Sequence, residues 1–179
     1  MKYNIETHIH IYSSWAASRA ASVITNRFSV EKGQSILSKS KIKTFINHPD
    51  KLPEKEKFDA NHFNWRKQLI ELSSNVMKKP LTHGIAAKMI NIYLKSIIIC
   101  GGYYRHPKSE AIHPPIDSVL LKELASKNFN GNARFWRMSN KIAWSNFNSE
   151  QYQNVIDEIR SGLNGKALWR IEEYWKGHQ

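Results

Sequence analysis

Between Gly84 and Cys100, apolar side chains recur at helical spacing on one face (Ile85, Met89, Ile92, Tyr93, Ile99) and again on the opposite one (Ile90, Leu94, Ile97, Ile98). A helix that is apolar nearly all round has to be covered by neighbours. The pattern therefore predicts a central buried helix over 84–100, stopped by Gly101 and Gly102. Phe63, Leu69, Leu72 and Val76 mark the buried stripe of another helix, from Asp59 to Lys79, which Pro80 ends. Tyr152, Val155, Ile156 and Ile159 mark a third, from a Ser149 cap to Leu163, with Gly162 or Gly165 at its end. Leu168, Ile171 and Trp175 share one side of a last helix over 166–175. Near the N-terminus, Thr7 to Ile24 holds WAASRAASVI. Its alanine density favours a closely packed helix, with Ile9, Trp15 and Ala16 near helical spacing. Ser29 caps a short helix through Leu37, and another short helix to Asn47 precedes a charged, proline-containing loop. His113-Pro114-Pro115 forces an extended entry to a helix capped by Asp117, with Val119, Leu120, Leu121 and Leu124 packing inward. Phe129 to Asn132 reads as a turn. Phe135, Trp136, Ile142 and Trp144 follow as an aromatic segment interleaved with Arg134, Arg137 and Lys141. No stretch alternates with period two over a useful length, so the predicted class is all-α, a compact helical domain with no sheet of three or more strands.

A chain of 179 residues is long enough to bury a real core as one domain, 1–179, or as two lobes, 1–80 and 81–179. A monomer is expected. The net charge of +12 and a pI near 9.8 favour a polyanionic partner, nucleic acid before membrane. Cys100 is the only cysteine, which excludes an intrachain disulfide and a cysteine-rich zinc site. Met1 to His10 is polar, and no apolar run comes close to the roughly 20 residues of a membrane span. The expectation is a cytoplasmic protein in a reducing compartment.

Two residues stand out chemically. Lys88 falls in the opening of the apolar helix, an unusual place for a side chain that normally stays exposed. Burial, helped by the positive helix N-terminus, would lower its pKa and free the amine for attack on carbon. Asp117, pinned by two prolines, could accept the proton or stabilise a developing oxocarbenium. The plainer reading is a lysine snorkelling to solvent and an aspartate that only caps its helix. Lys95, two turns further on, is the competing amine.

Gly84-Ile85-Ala86-Ala87-Lys88, the apolar helix and Pro115-Ile116-Asp117 together resemble the helix-hairpin-helix DNA glycosylase superfamily, and most of all its bifunctional 8-oxoguanine branch, including the archaeal form. The resemblance covers about forty residues in the middle of the chain. It implies a helix-hairpin-helix element at 81–84, with Lys88 as Schiff-base nucleophile and Asp117 as activating carboxylate. It also implies a DNA repair enzyme, a base-excision glycosylase and lyase, with double-stranded DNA, or single-stranded nucleic acid, as partner. Contacts to DNA would fall to Lys78, Lys79 and His83, to the hairpin backbone at Gly84 and Ala86, and to Arg105 and His113. Trp15, Arg19 and Trp136 would serve a pocket for the extruded base, with Phe135, Trp144, Trp169 and Trp175 also available for stacking. No cofactor is implied. The sequence departs from the pattern at Ala86, where the family has a second hairpin glycine, and at Leu81-Thr82-His83, where it has Leu-Pro-Gly. The WAASRA and HPPID stretches also resemble uncharacterised bacterial proteins.

His83, His106 and His113 near Asp117 match no tight metal-ligand spacing, and no metal site is expected. His113 could instead orient Asp117. The sequence contains no phosphate-binding Walker loop, dinucleotide fingerprint or serine-nucleophile elbow. The competing readings are a non-catalytic basic helical module that binds nucleic acid, and a defence-system or interaction protein that kept the fold alone.

Overall fold

The computed structural model describes residues 3–177 and is all-α. Helix α1, Ile5–Ala21, starts at Asn4, whose side chain accepts the amide N–H of Thr7 at 2.9 Å. Its buried face is small and polar (Ser13, Ser14, Ala17, Ser18, Ala21), which lets it lie close against the central helix. Trp15 is therefore not a core residue: it is 47 % exposed on the outer side, next to exposed Arg19. Helix α2, Val30–Lys39, is capped by Ser29, and helix α3 is Lys55–Ser74. Both ends of α3 come earlier than the apolar stripe suggested, and Phe63 points outward.

Helix α4, His83–Leu94, is capped by the Thr82 hydroxyl, and all but two of its residues are buried. It continues as a wider π-helical stretch over Lys95–Tyr103, until Gly102 adopts a φ of 94° and breaks the helix. Residues 83–103 are long and apolar enough to cross a membrane, contrary to the expectation that no run was, although 67 % of that window is buried within the protein itself. Helix α5, Ser118–Ser126, follows the Asp117 cap. Helix α6, Ala133–Lys141, occupies what the sequence showed only as an aromatic segment. Helix α7, Ser149–Leu163, is capped by Asn148 rather than Ser149, with Gln151 returning a bond to the Asn148 amide. The expected last α-helix is a tighter 3-10 turn, Leu168–Tyr174.

Apolar side chains form two clusters. One gathers α1 to α4 with the 42–52 segment and ends at Ile112. The other gathers Ile116, α5, α6, α7 and the 168–171 turn. They part near 112–116, not at 80–81, and α4 serves both, giving Ala87 to the second. The central helix is thus the wall between two cores, and this puts Lys88 where they meet.

Candidate active site

Lys88 lies in the second turn of α4, since the helix starts at His83. The helix dipole fades beyond the first turn, so it is not what tunes this amine. Burial is: Lys88 is only 6 % exposed, and desolvation lowers its pKa against the opposing pull of Asp117. Its Nζ donates to Asp117 Oδ2 at 2.9 Å and lies 5.4 Å from the centre of the Trp144 ring. Asp117 is both cap and partner. Its Oδ1 accepts the Leu120 N–H at 2.9 Å, while Oδ2 accepts Lys88 and the Trp175 indole N–H at 3.1 Å. Burial pushes the Asp117 carboxyl up, but Lys88, the Leu120 amide and Trp175 outweigh it and hold the pKa below the usual range.

A second ion pair, Lys95 with Glu172, stands beside the first. Burial raises the Glu172 pKa, and the charges of both residues act on Lys88. The alternative amine, Lys95, is thus paired and 32 % exposed, and the more buried cation is Lys88.

The placement of Asp117 is built from α4 itself. Asn91, buried three residues beyond Lys88, donates to the Pro114 carbonyl at 2.8 Å and to the Tyr152 hydroxyl at 2.9 Å. Its own carbonyl accepts His62 Nε2–H at 2.8 Å. Tyr152 then donates to His113 Nδ1 at 3.0 Å, and His113 Nε2–H donates to Asp59 at 2.9 Å. Desolvation lowers the pKa of both His62 and His113, which agrees with these neutral tautomers. This network fixes the extended 112–116 segment alongside α4, so Asp117 arrives level with Lys88. His113 therefore neither touches Asp117 nor is free to meet phosphate.

Other expected contacts also move. The Gly84 amide donates to the Phe147 carbonyl at 3.1 Å, the Thr82 hydroxyl donates to the Ser145 carbonyl at 2.6 Å, and Ala86 is fully buried. The 144–147 turn thus fills the N-terminus of α4, and neither Gly84 nor Ala86 can offer its backbone to DNA. His83 is half-buried and stacked on Phe63. Lys78 and Lys79 are exposed before α4. Arg105 is exposed at its other end, roughly 30 Å away at 1.5 Å per residue. Trp136 is fully buried, its N–H bonded to the Phe129 carbonyl, so its ring offers no face to an extruded base. The aromatics at Lys88 are instead Trp144 and, through Asp117, Trp175. The two tryptophans were expected only among several aromatics available for stacking; nothing local placed them or Glu172 beside Lys88, because all three reach the site from far along the chain. Among the described residues, no group of three or more His, Cys, Asp or Glu is arranged to hold a metal ion.

Lys88 and Asp117 share one 2.9 Å bond along which a proton can pass: burial favours the neutral amine and neutral acid, while the Leu120 and Trp175 donors favour the resting ion pair. The chain matches no known protein-family model, no curated protein and no solved structure.

Proposed function

We propose that this chain is a DNA base-excision glycosylase with lyase activity, Lys88 being the nucleophile and Asp117 the carboxylate that takes its proton. The observation that carries the reading is the 2.9 Å bond between a lysine amine 6 % exposed and an aspartate held by three donors. Once Asp117 has accepted the proton, the amine attacks C1′ of the damaged nucleotide. The C1′–N bond breaks, its electron pair leaving with the base, which takes up the proton that Asp117 holds. The new ammonium loses a proton as the C1′–O4′ bond breaks and O4′ gains one, giving a Schiff base; loss of a C2′ proton expels the 3′ phosphate, and water releases the lysine amine and leaves the sugar as an aldehyde. The net charge of +12 supports a polyanionic substrate. In this reading Trp144 and Trp175, both half-buried beside the ion pair, shift to admit an extruded nucleotide.

The test is borohydride trapping on duplexes carrying oxidised, alkylated or deaminated bases. A covalent adduct is expected, absent in Lys88→Ala and reduced by about a hundredfold or more in Asp117→Asn. No adduct with any substrate, or activity surviving both substitutions, overturns the reading. A second reading, a non-catalytic basic module that binds nucleic acid, is favoured by the Gly84 amide being tied to the Phe147 carbonyl. It predicts salt-sensitive binding that Lys88→Ala leaves unchanged, without any adduct.

A further inference from the structure

Away from Lys88, where the central helix ends, the chain forms a trough of distinct chemistry. Asn164 and Gly165 take φ values of 48° and 81°, which turns the chain back after α7 and lays the 168–174 turn beside Tyr104 and Arg105. The resulting cavity, about 620 Å³, is lined by Tyr104, Arg105, Lys166, Trp169 and Arg170. It shares Glu110, Gly165 and Lys166 with a second cavity of about 470 Å³ that reaches Lys55 and Arg160, so the two form one trough.

The charges are not balanced. Lys55 neutralises Glu110, Asp59 and Asp157 hold Arg160, and of the lining carboxylates Glu56 has no ion pair among the described residues. Among the described residues, Arg105, Lys166 and Arg170 have no carboxylate partner. Two of these cations lie on aromatic rings, Arg105 at 5.5 Å from the Tyr104 centroid and Arg170 at 5.2 Å from that of Trp169. The rings meet edge to face at 6.3 Å. The Trp169 indole nitrogen is buried and its N–H finds no acceptor among the described residues.

We propose that this trough binds a single-stranded nucleic-acid segment, with Arg105, Lys166 and Arg170 on phosphates, the Trp169 ring stacking an unpaired base and Tyr104 standing against that base's edge. Unpaired cations alone would suit any polyanion. Aromatic faces alternating with guanidinium planes suit bases, and such faces reach only bases that are out of a duplex stack. The large exposed aliphatic side chains Ile24, Met138 and Ile5 lie on other parts of the surface. The inference rests on nucleic acid being the partner but not on the chemistry of Lys88.

Fluorescence anisotropy with a labelled oligothymidylate, across a salt series, tests it. The Arg105→Ala/Arg170→Ala double variant is expected to bind at least about tenfold more weakly, with the salt slope reduced by about 1.4 for two lost phosphate contacts. Trp169→Ala is expected to lose about fivefold or more and Trp169→Phe to keep most of the affinity, all variants retaining the wild-type circular dichroism melt. Groove variants that bind as wild type does overturn the proposal and leave the nucleic-acid reading standing, as does a wild type that binds only the duplex. A wild type that binds no nucleic acid overturns both. Equal competition by polyglutamate or by anionic vesicles shows a site for charge alone and also overturns it.

Discussion

At the scale of single residues, the side chain that organises the candidate site is one with no charge. Asn91 uses both amide protons and its carbonyl on three separate segments: Pro114, Tyr152 and His62. All of these groups are buried, so an apolar replacement leaves the Pro114 carbonyl and the His62 N–H without a partner, at roughly 1–3 kcal/mol apiece, while Tyr152 keeps only its bond to His113. Asn91→Leu is expected to lower stability by about 3 kcal/mol or more in urea unfolding. It should also free the 112–116 segment, so that trapping at Lys88 falls with it. A loss below about 1 kcal/mol would show that the network positions nothing. Lys88 itself was legible in the sequence as a cation on an apolar helix. That burial lowers its pKa was expected as well; that Asp117, Trp144 and Trp175 are what cover it was not, because no local pattern records their approach.

At the scale of elements, the decisive junction is the start of α4. The helix N-terminus faces the 144–147 turn, and a Cβ built on Gly84 would lie 1.9 Å from the Trp144 carbonyl oxygen. That oxygen is backbone and cannot swing aside, so Gly84 is glycine for close approach rather than for DNA contact. Gly84→Ala should therefore destabilise by about 1–3 kcal/mol or more. It should also displace Trp144, the ring beside Lys88, seen as a change in tryptophan emission. An unchanged melt and spectrum would mean that the turn does not seat there. The same junction explains why the hairpin expectation met a different arrangement: the amides it relied on are already bonded within the chain.

For the whole molecule, the buried histidines set the response to pH. His62 and His113 are held neutral by burial, with folded pKa values below the ordinary 6.5. The unfolded chain takes up protons at these positions as the pH falls through 6.5, while the folded chain resists. The stability they contribute is therefore complete above 6.5 and drains away below it, by up to about 1.4 kcal/mol per pH unit for each. Asp59 adds a second, lower window. Burial raises its pKa, but the His113 N–H and the Arg160 charge more than offset this and bring it to about 2, so its contribution is lost as pH falls from 3.8 toward that value. Melting temperature should drop between pH 7 and 5, and His113→Gln should lessen the slope. A flat profile over that range would contradict the neutral network.

The all-α class, the central apolar helix, the caps at Ser29 and Asp117 and the singling out of Lys88 and Asp117 all came from the sequence alone. Each rests on local information: periodicity, a hydroxyl or carboxylate before a helix, prolines that restrict the next turn. The 2.9 Å bond between Lys88 and Asp117 was only an expectation until the fold placed it. Tertiary structure alone decided that Trp15 faces outward, that Trp136 and His113 are buried, that Glu172, Trp144 and Trp175 surround the amine, and that the 104–110 and 165–170 segments enclose one trough. The reason is that burial is a property of which faces meet. A helix made of serine and alanine packs its small side inward because the central helix comes close enough to need it, and its tryptophan is left outside.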